Sequence, residues 1–241
     1  MRPLAYKFLS PGAVGLYSGF RWPVPENGAP GQWVEATGKL VDCFNGVHAC
    51  RVRDLPSWID DELWTVELGG NLVERETMVI ADRGRLVRRV EGWTAAAASD
   101  FAEACARRAR DQAVRSLERA RLTRESEELA GLDRLELVQE RGAALATSCD
   151  GYPAVAAAFA ADAVALASGR RPETWDAHPA LAAHAVQTPG ATAANLGFVV
   201  AYSAGREAAD ERGDDAYAAG FAAERKWQLA WLVDRLGLES A

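Results

Sequence analysis

Lysine is almost missing from this chain. Of 27 basic residues only Lys7, Lys39 and Lys226 carry an amine; the other 24 are arginine. A GC-rich coding sequence, which favours Arg and Ala codons, accounts for such a bias, and so does recognition of phosphate or carboxylate by guanidinium forks. No window of about 18 uninterrupted apolar residues occurs, which predicts no membrane span. The most apolar stretch, 152–167, is mostly alanine and contains Asp162. The opening run Met1–Lys7 lacks a sustained apolar h-region. That predicts a cytoplasmic protein whose four cysteines, Cys43, Cys50, Cys105 and Cys149, stay reduced. No Walker loop, GxGxxG, GxSxG or HExxH motif is present. Neither half is basic: positions 1–93 hold 11 basic and 12 acidic residues, positions 94–241 hold 16 and 22, within a net charge of −7. A whole-domain nucleic-acid footprint is therefore missing, and nucleic acid is not an expected partner.

What is present is enough for a real core. The 241 residues are 49% hydrophobic and 25% charged, ordinary values for a globular chain that needs no staples. Positions 1–93 read as short strands punctuated by Gly and Pro, with expected strands over 4–9, 17–22, 32–36, 39–43, 46–52, 62–68, 77–81 and 86–90. Thr37-Gly38 and Gly69-Gly70-Asn71 read as turns. Asp54, followed by Pro56, reads as the N-cap of a short helical turn. At Trp93-Thr94 the apolar period changes from two to that of a helix. Helices are expected over 95–122, 133–147, 152–168, 178–187, 192–212 and 214–236, the last closed by Gly237. Ala98, Phe101, Cys105, Ala109, Ala113 and Leu117 form the apolar stripe of the first. The fold class is α+β: a small, strongly bent, Trp-rich β-sheet module over 1–93 followed by an Ala-rich helical bundle over 94–241 packed against it. Trp22, Trp33, Trp58, Trp64 and Trp93 exceed what a 93-residue module hides, so some are expected to cover the helical half, making one cooperative unit.

Four constellations bear on chemistry. In Cys43–Cys50, His48 stands between two cysteines. The spacing is incomplete for zinc, and the expectation is no metal. His48 reads either as a general base or ligand donor near neutrality, or as a core histidine bonded to backbone. The run Asp60-Asp61-Glu62 reads as an exposed acidic turn. Glu67 lies inside a strand with Leu63 and Thr65, where a carboxylate needs a partner; Arg51, Arg85 or Lys7 supplies one, or the carboxylate is catalytic. Arg83–Arg89 reads as a solvated strand. In the last helix Tyr217, Phe221, Glu224, Gln228, Trp231 and Arg235 share one stripe. Phe221 and Trp231 read as core anchors, and Glu224 with Gln228 as a polar pair for a partner helix or another subunit.

Tyr6-Lys7-Phe8, Cys43-x-x-Gly46-Val47-His48-Ala49-Cys50, Leu55-Pro56-x-Trp58 and Glu62-Leu63-Trp64-x-Val66-Glu67-Leu68 together resemble uncharacterised actinobacterial proteins. They are also similar to small phage-type modules built on C-x-x-G-[FV]-H-A-C. The resemblance covers about residues 1–93 and implies no activity. In architecture, an opening aromatic strand, a Gly-hydrophobic-His segment before a short helix and a later strand glutamate resemble the ADP-ribosyltransferase-like fold. That resemblance implies NAD in a cleft of a split sheet, oriented by Glu67, with Tyr6 or Tyr17 stacking. The opening strand lacks the His or Arg that fold places there.

Two functions follow as expectations. One is a non-enzymatic ligand- or protein-binding or assembly protein, cofactor-free, with the helical module mediating homo-oligomers. The alternative is an enzyme with catalytic His48 and Glu67, with Tyr6, Lys7, Tyr17, Arg51, Trp64 and Arg85 binding the ligand and NAD as the cofactor.

Overall fold

The computed structural model of the chain describes residues 5–172 and 186–238. Of the short helix expected over 178–187, all but the last two residues lie outside them. The chain is α+β. It falls into two compact units, Met1–Ala97 with Leu229–Ala241, and Ala98–Gln228.

The first unit holds five strands, β1 (Ala5–Leu9), β2 (Val34–Glu35), β3 (Val47–Ala49), β4 (Glu62–Glu74) and β5 (Val79–Arg89). All pairings are antiparallel. β4 pairs with β1 on one edge and β5 on the other, and β5 carries both β2 and β3 on its far edge. Tyr6 and Cys50 then exchange two backbone hydrogen bonds of 2.8 Å each. This pair joins the residue after β3 to β1, so the succession β1, β4, β5, β3 returns to β1. The bent sheet is thus closed on itself at that one bridge. Inside it lie Leu9, Trp22, Val47, Trp64, Val66 and Leu86 among others. On its other side Phe8 meets the buried Trp93 edge to face at 5.6 Å.

Several expected boundaries shift. Gly69–Asn71 is not a turn; β4 runs on to Glu74 through a register shift between Gly69 and Leu72. There Asp82 on β5 accepts from the Asn71 backbone and side-chain N–H groups at 2.8 and 2.9 Å. No strand forms over 17–22 or 39–43; these are turns and isolated bridges. The expected short helical turn forms as a 3-10 helix over Val52–Ser57, but Arg51 is its N-cap, and Asp54, at the third position, accepts from the Arg51 backbone N–H at 3.2 Å. The five tryptophans each find a partner within the first unit. Trp22 and Trp64 join the interior, and Trp58 and Trp93 donate to the Thr77 and Asp60 carbonyls at 2.7 Å. Trp33 stacks against arginines.

The helices are α1 (Ala95–Arg119), α2 (Thr123–Ala130), α3 (Leu135–Ser148), α4 (Gly151–Ala167), α5 (Pro189–Arg212) and α6 (Tyr217–Leu236). Thr94 and Thr188 cap α1 and α5, their hydroxyl oxygens accepting from Ala97 and Ala191 at 3.1 Å. The expected α1 stripe is buried throughout. α2, TRESEELA, buries only Ser126 and Leu129, so no apolar period announces it. No helix among the described residues is long and apolar enough to cross a membrane.

In the second unit partly exposed arginines reach in to buried carboxylates. Arg108 grips buried Glu224 with two bonds of 2.6 Å and lies 4.1 Å from the Trp227 ring. Glu207 accepts from Arg115 and Arg119 at 2.9 to 3.1 Å. Gln228 donates to the Gly197 carbonyl at 2.8 Å. The polar pair of the last helix therefore has partners on α1 and α5 of the same unit. α5 and α6 approach closely because Gly220 faces Ala204: a Cβ at 220 would sit 2.5 Å from the Ala204 carbonyl oxygen. Replacing Gly220 with alanine gains about 1 kcal/mol of helix propensity but forces two backbones apart. We expect a net loss of about 1–3 kcal/mol in denaturant unfolding; a neutral result would mean that α5 and α6 do not touch there.

Candidate functional site

The motif Cys43–Cys50 is a rigid loop followed by a strand. Val41 and Asn45 exchange backbone hydrogen bonds of 2.9 and 3.0 Å. The Asn45 amide donates to the carbonyls of Thr37 and Lys39 at 3.0 and 2.8 Å. Asp42 pairs with Arg75 at 2.6 Å. Cys43 takes a left-handed φ of 57°, and Gly46 a φ of 135° with its α-carbon against Ile80. A side chain at 46 would meet Ile80 at 2.3 Å, so glycine is required twice over. His48 completes the frame: its Nε2 accepts the Cys43 backbone N–H at 3.0 Å. Burial, and then the charge of Lys7, hold its pKa below 6.5, consistent with a neutral ring. At the tip of this loop Phe44 is 89% exposed. The four cysteines are free thiols. Among the described residues no group of three or more His, Cys, Asp or Glu side chains is placed to hold a metal ion.

Lys7 is the other unusual group. It stands one residue past the closing Tyr6–Cys50 pair, opposite Trp64 on β4. Its amine donates to the His48 carbonyl at 2.7 Å and lies 5.1 Å from the Trp22 ring centroid. No carboxylate pairs with it among the described residues. Burial brings its pKa down to about 8, while the buried Cys50 thiol is pushed up to about 12 by burial.

The remaining candidates are spread over the first unit. Glu67 and Arg85 are cross-strand neighbours, and the arginine fork closes on one carboxylate oxygen at 2.8 and 2.7 Å. Arg85 and Arg83 also stack on Trp33 at 4.7 and 4.8 Å. Arg51 ties the 3-10 turn to the β4–β5 turn through Asp54, Glu74 and the carbonyls of Arg75 and Glu76. Trp64 points inward and donates to Glu62. Tyr6 is buried, and Tyr17 is 86% exposed on a separate turn. The structure joins Lys7 to the His48 backbone and Glu67 to Arg85. It does not gather the whole set. β5 lies between β3 and β4, and His48 is aligned through Ile80 with Val73, about 20 Å of strand from Glu67.

The acidic run is not an exposed turn. Asp60 is buried, accepting from the Ser10 hydroxyl at 2.8 Å, and burial raises its pKa. Glu62 accepts the Gly12 and Ala13 N–H groups at 3.0 and 3.2 Å.

A feature the sequence reading missed lies in the second unit. Phe159 on α4, Phe198 and Tyr202 on α5, and Tyr217 and Phe221 on α6 form one continuous set of ring contacts 5.8 to 6.3 Å apart. Phe198 is 53% and Tyr202 37% exposed, and Phe221 is a rim residue rather than a core anchor. The available signal was the uncharged run 216–223, apolar on every side of a helix.

Compared with protein-family models, curated proteins and solved structures, the chain matches none.

Two pH dependences follow. Between its folded pKa and 6.5 the unfolded chain binds more protons at His48 than the folded one, so stability falls as pH drops below 6.5. The Cys43 amide resonance should move in the same titration, and replacing His48 with glutamine should remove both effects. For Lys7 the unfolded chain holds the extra proton between about 8 and 10.5. Stability from this group therefore rises across that window, by about 3 kcal/mol at most. Denaturant unfolding at pH 7.5 and 10 should show the rise in the native chain and a flat response in Lys7→Met.

Proposed function

We propose that this chain is a non-enzymatic binding and assembly protein. The observation that carries this reading is the five-ring surface of α4, α5 and α6, an apolar patch left open to water on a well-packed bundle. Such patches mark interaction sites on soluble proteins. The Phe44 loop adds to it, because a loop held by its own hydrogen bonds loses little backbone freedom when it docks. The proposal keeps the protein in a reducing, cytoplasmic setting, which the four free thiols support.

The competing reading is an NAD-using enzyme built on His48 and Glu67. It needs both groups free and facing one ligand. His48 Nε2 instead accepts a backbone N–H, and Glu67 is forked by Arg85, which favours the binding reading. Thermal unfolding with NAD, other nucleotides and divalent metals separates the two. A ligand at 100 times its Kd stabilises by about 2.7 kcal/mol. We expect no shift at millimolar NAD. A shift that Glu67→Gln abolishes would establish the enzyme reading in its place.

A further inference from the structure

We infer that the second unit pairs with a second copy of this chain, α5 against α5, antiparallel about a two-fold axis at Tyr202. This rests on the assembly reading above and names its partner.

The face is built for close, dry contact. Val155 on α4, four residues before Phe159, is 45% exposed. From Ala216 to Ala223 α6 carries no charge, and Ala218, Ala219, Ala222 and Ala223 are exposed. Small side chains there let a helix from another molecule come near.

The α5 stripe identifies that molecule. Phe198, Tyr202 and Arg206 are exposed at four-residue spacing, one above another on the helix. A two-fold axis at Tyr202 sets each residue four positions after it against the residue four positions before it in the other copy. Arg206 then lies over Phe198 of the second molecule, and Phe198 beneath its Arg206. The stripe is its own complement, as an isologous interface requires. Arg206 is also available: among the described residues it forms no ion pair or hydrogen bond, whereas Arg108, Arg115 and Arg119 are all paired with carboxylates. A guanidinium over an aromatic face is a favourable contact in partly dry surroundings. Among the nearby exposed charges the acids Asp210, Glu211, Asp214 and Asp215 outnumber the bases Arg206 and Arg212, which disfavours an anionic membrane as the occupant.

Sedimentation velocity on the full chain from about 1 to 200 μM tests the pairing. We expect a concentration-dependent dimer. Tyr202→Glu places two carboxylates at the axis and should weaken it about 100-fold or more. Arg206→Ala should weaken it about 3- to 30-fold. Circular dichroism melting confirms that each variant folds. Independently, Tyr202→Cys in a Cys43→Ser, Cys149→Ser background should form an intermolecular disulfide on oxidation, because only the two-fold arrangement brings position 202 onto itself. A chain that stays monomeric to 200 μM overturns the pairing, as does a dimer indifferent to Tyr202→Glu. Co-sedimentation of the monomer with phosphatidylcholine vesicles would also overturn it, in favour of a lipid surface. None of these failures bears on the NAD titration, so loss of this pairing and loss of the assembly reading are told apart.

Discussion

Two backbone hydrogen bonds between Tyr6 and Cys50 decide what the first unit is. Without them the sheet would be an open strip ending at β1, with a row of unpaired donors and acceptors along its edge. With them the strands return on themselves and enclose the cluster of Leu9, Trp22, Trp64 and Val66. The position of Lys7 follows from the same pair. Lys7 is the next residue along β1, and its amine meets the His48 carbonyl where backbone pairing between the two segments has stopped. His48 is thereby held from both ends, by its own backbone and by its ring.

The loop that His48 stiffens shows how residues suggestive of chemistry serve shape instead. The imidazole and the Asn45 amide bond back into the loop, Asp42 ties it to Arg75, and the ring of Phe44 is left 89% exposed. The second unit makes a similar division on a larger scale. Alanine lets the helices close up, arginine forks neutralise the carboxylates inside, and the large rings are left along one side.

Much of this architecture was readable from pattern. The change of period at Trp93-Thr94, the α1 stripe and the Gly237 stop are all local signals, and local signals survive folding. The strand pattern of Glu62–Leu68 was equally plain, as was the need of Glu67 for a basic partner. What escaped was set by long-range pairing. Gly69-Gly70-Asn71 has turn composition, but Asp82 across the strands satisfies it in place as a bulge. Asp60–Glu62 is acidic enough to suggest solvent, yet Ser10 and the Gly12-Ala13 backbone come from 50 residues away to bury it. The site was half legible: Cys43–Cys50 stood out, but its spacing carried no hint that the histidine would serve a backbone N–H. The aromatic row was hidden because its five rings lie on three helices, and no single helix period reveals which side is left uncovered.

The scarcity of lysine now has a physical consequence. In the second unit the ion pairs to buried carboxylates, Arg108 with Glu224 and Arg115 and Arg119 with Glu207, all place a guanidinium on the basic side. That group presents a planar set of N–H donors where an amine would offer a point charge. The buried carboxylates of the bundle are therefore held in direction as well as in charge.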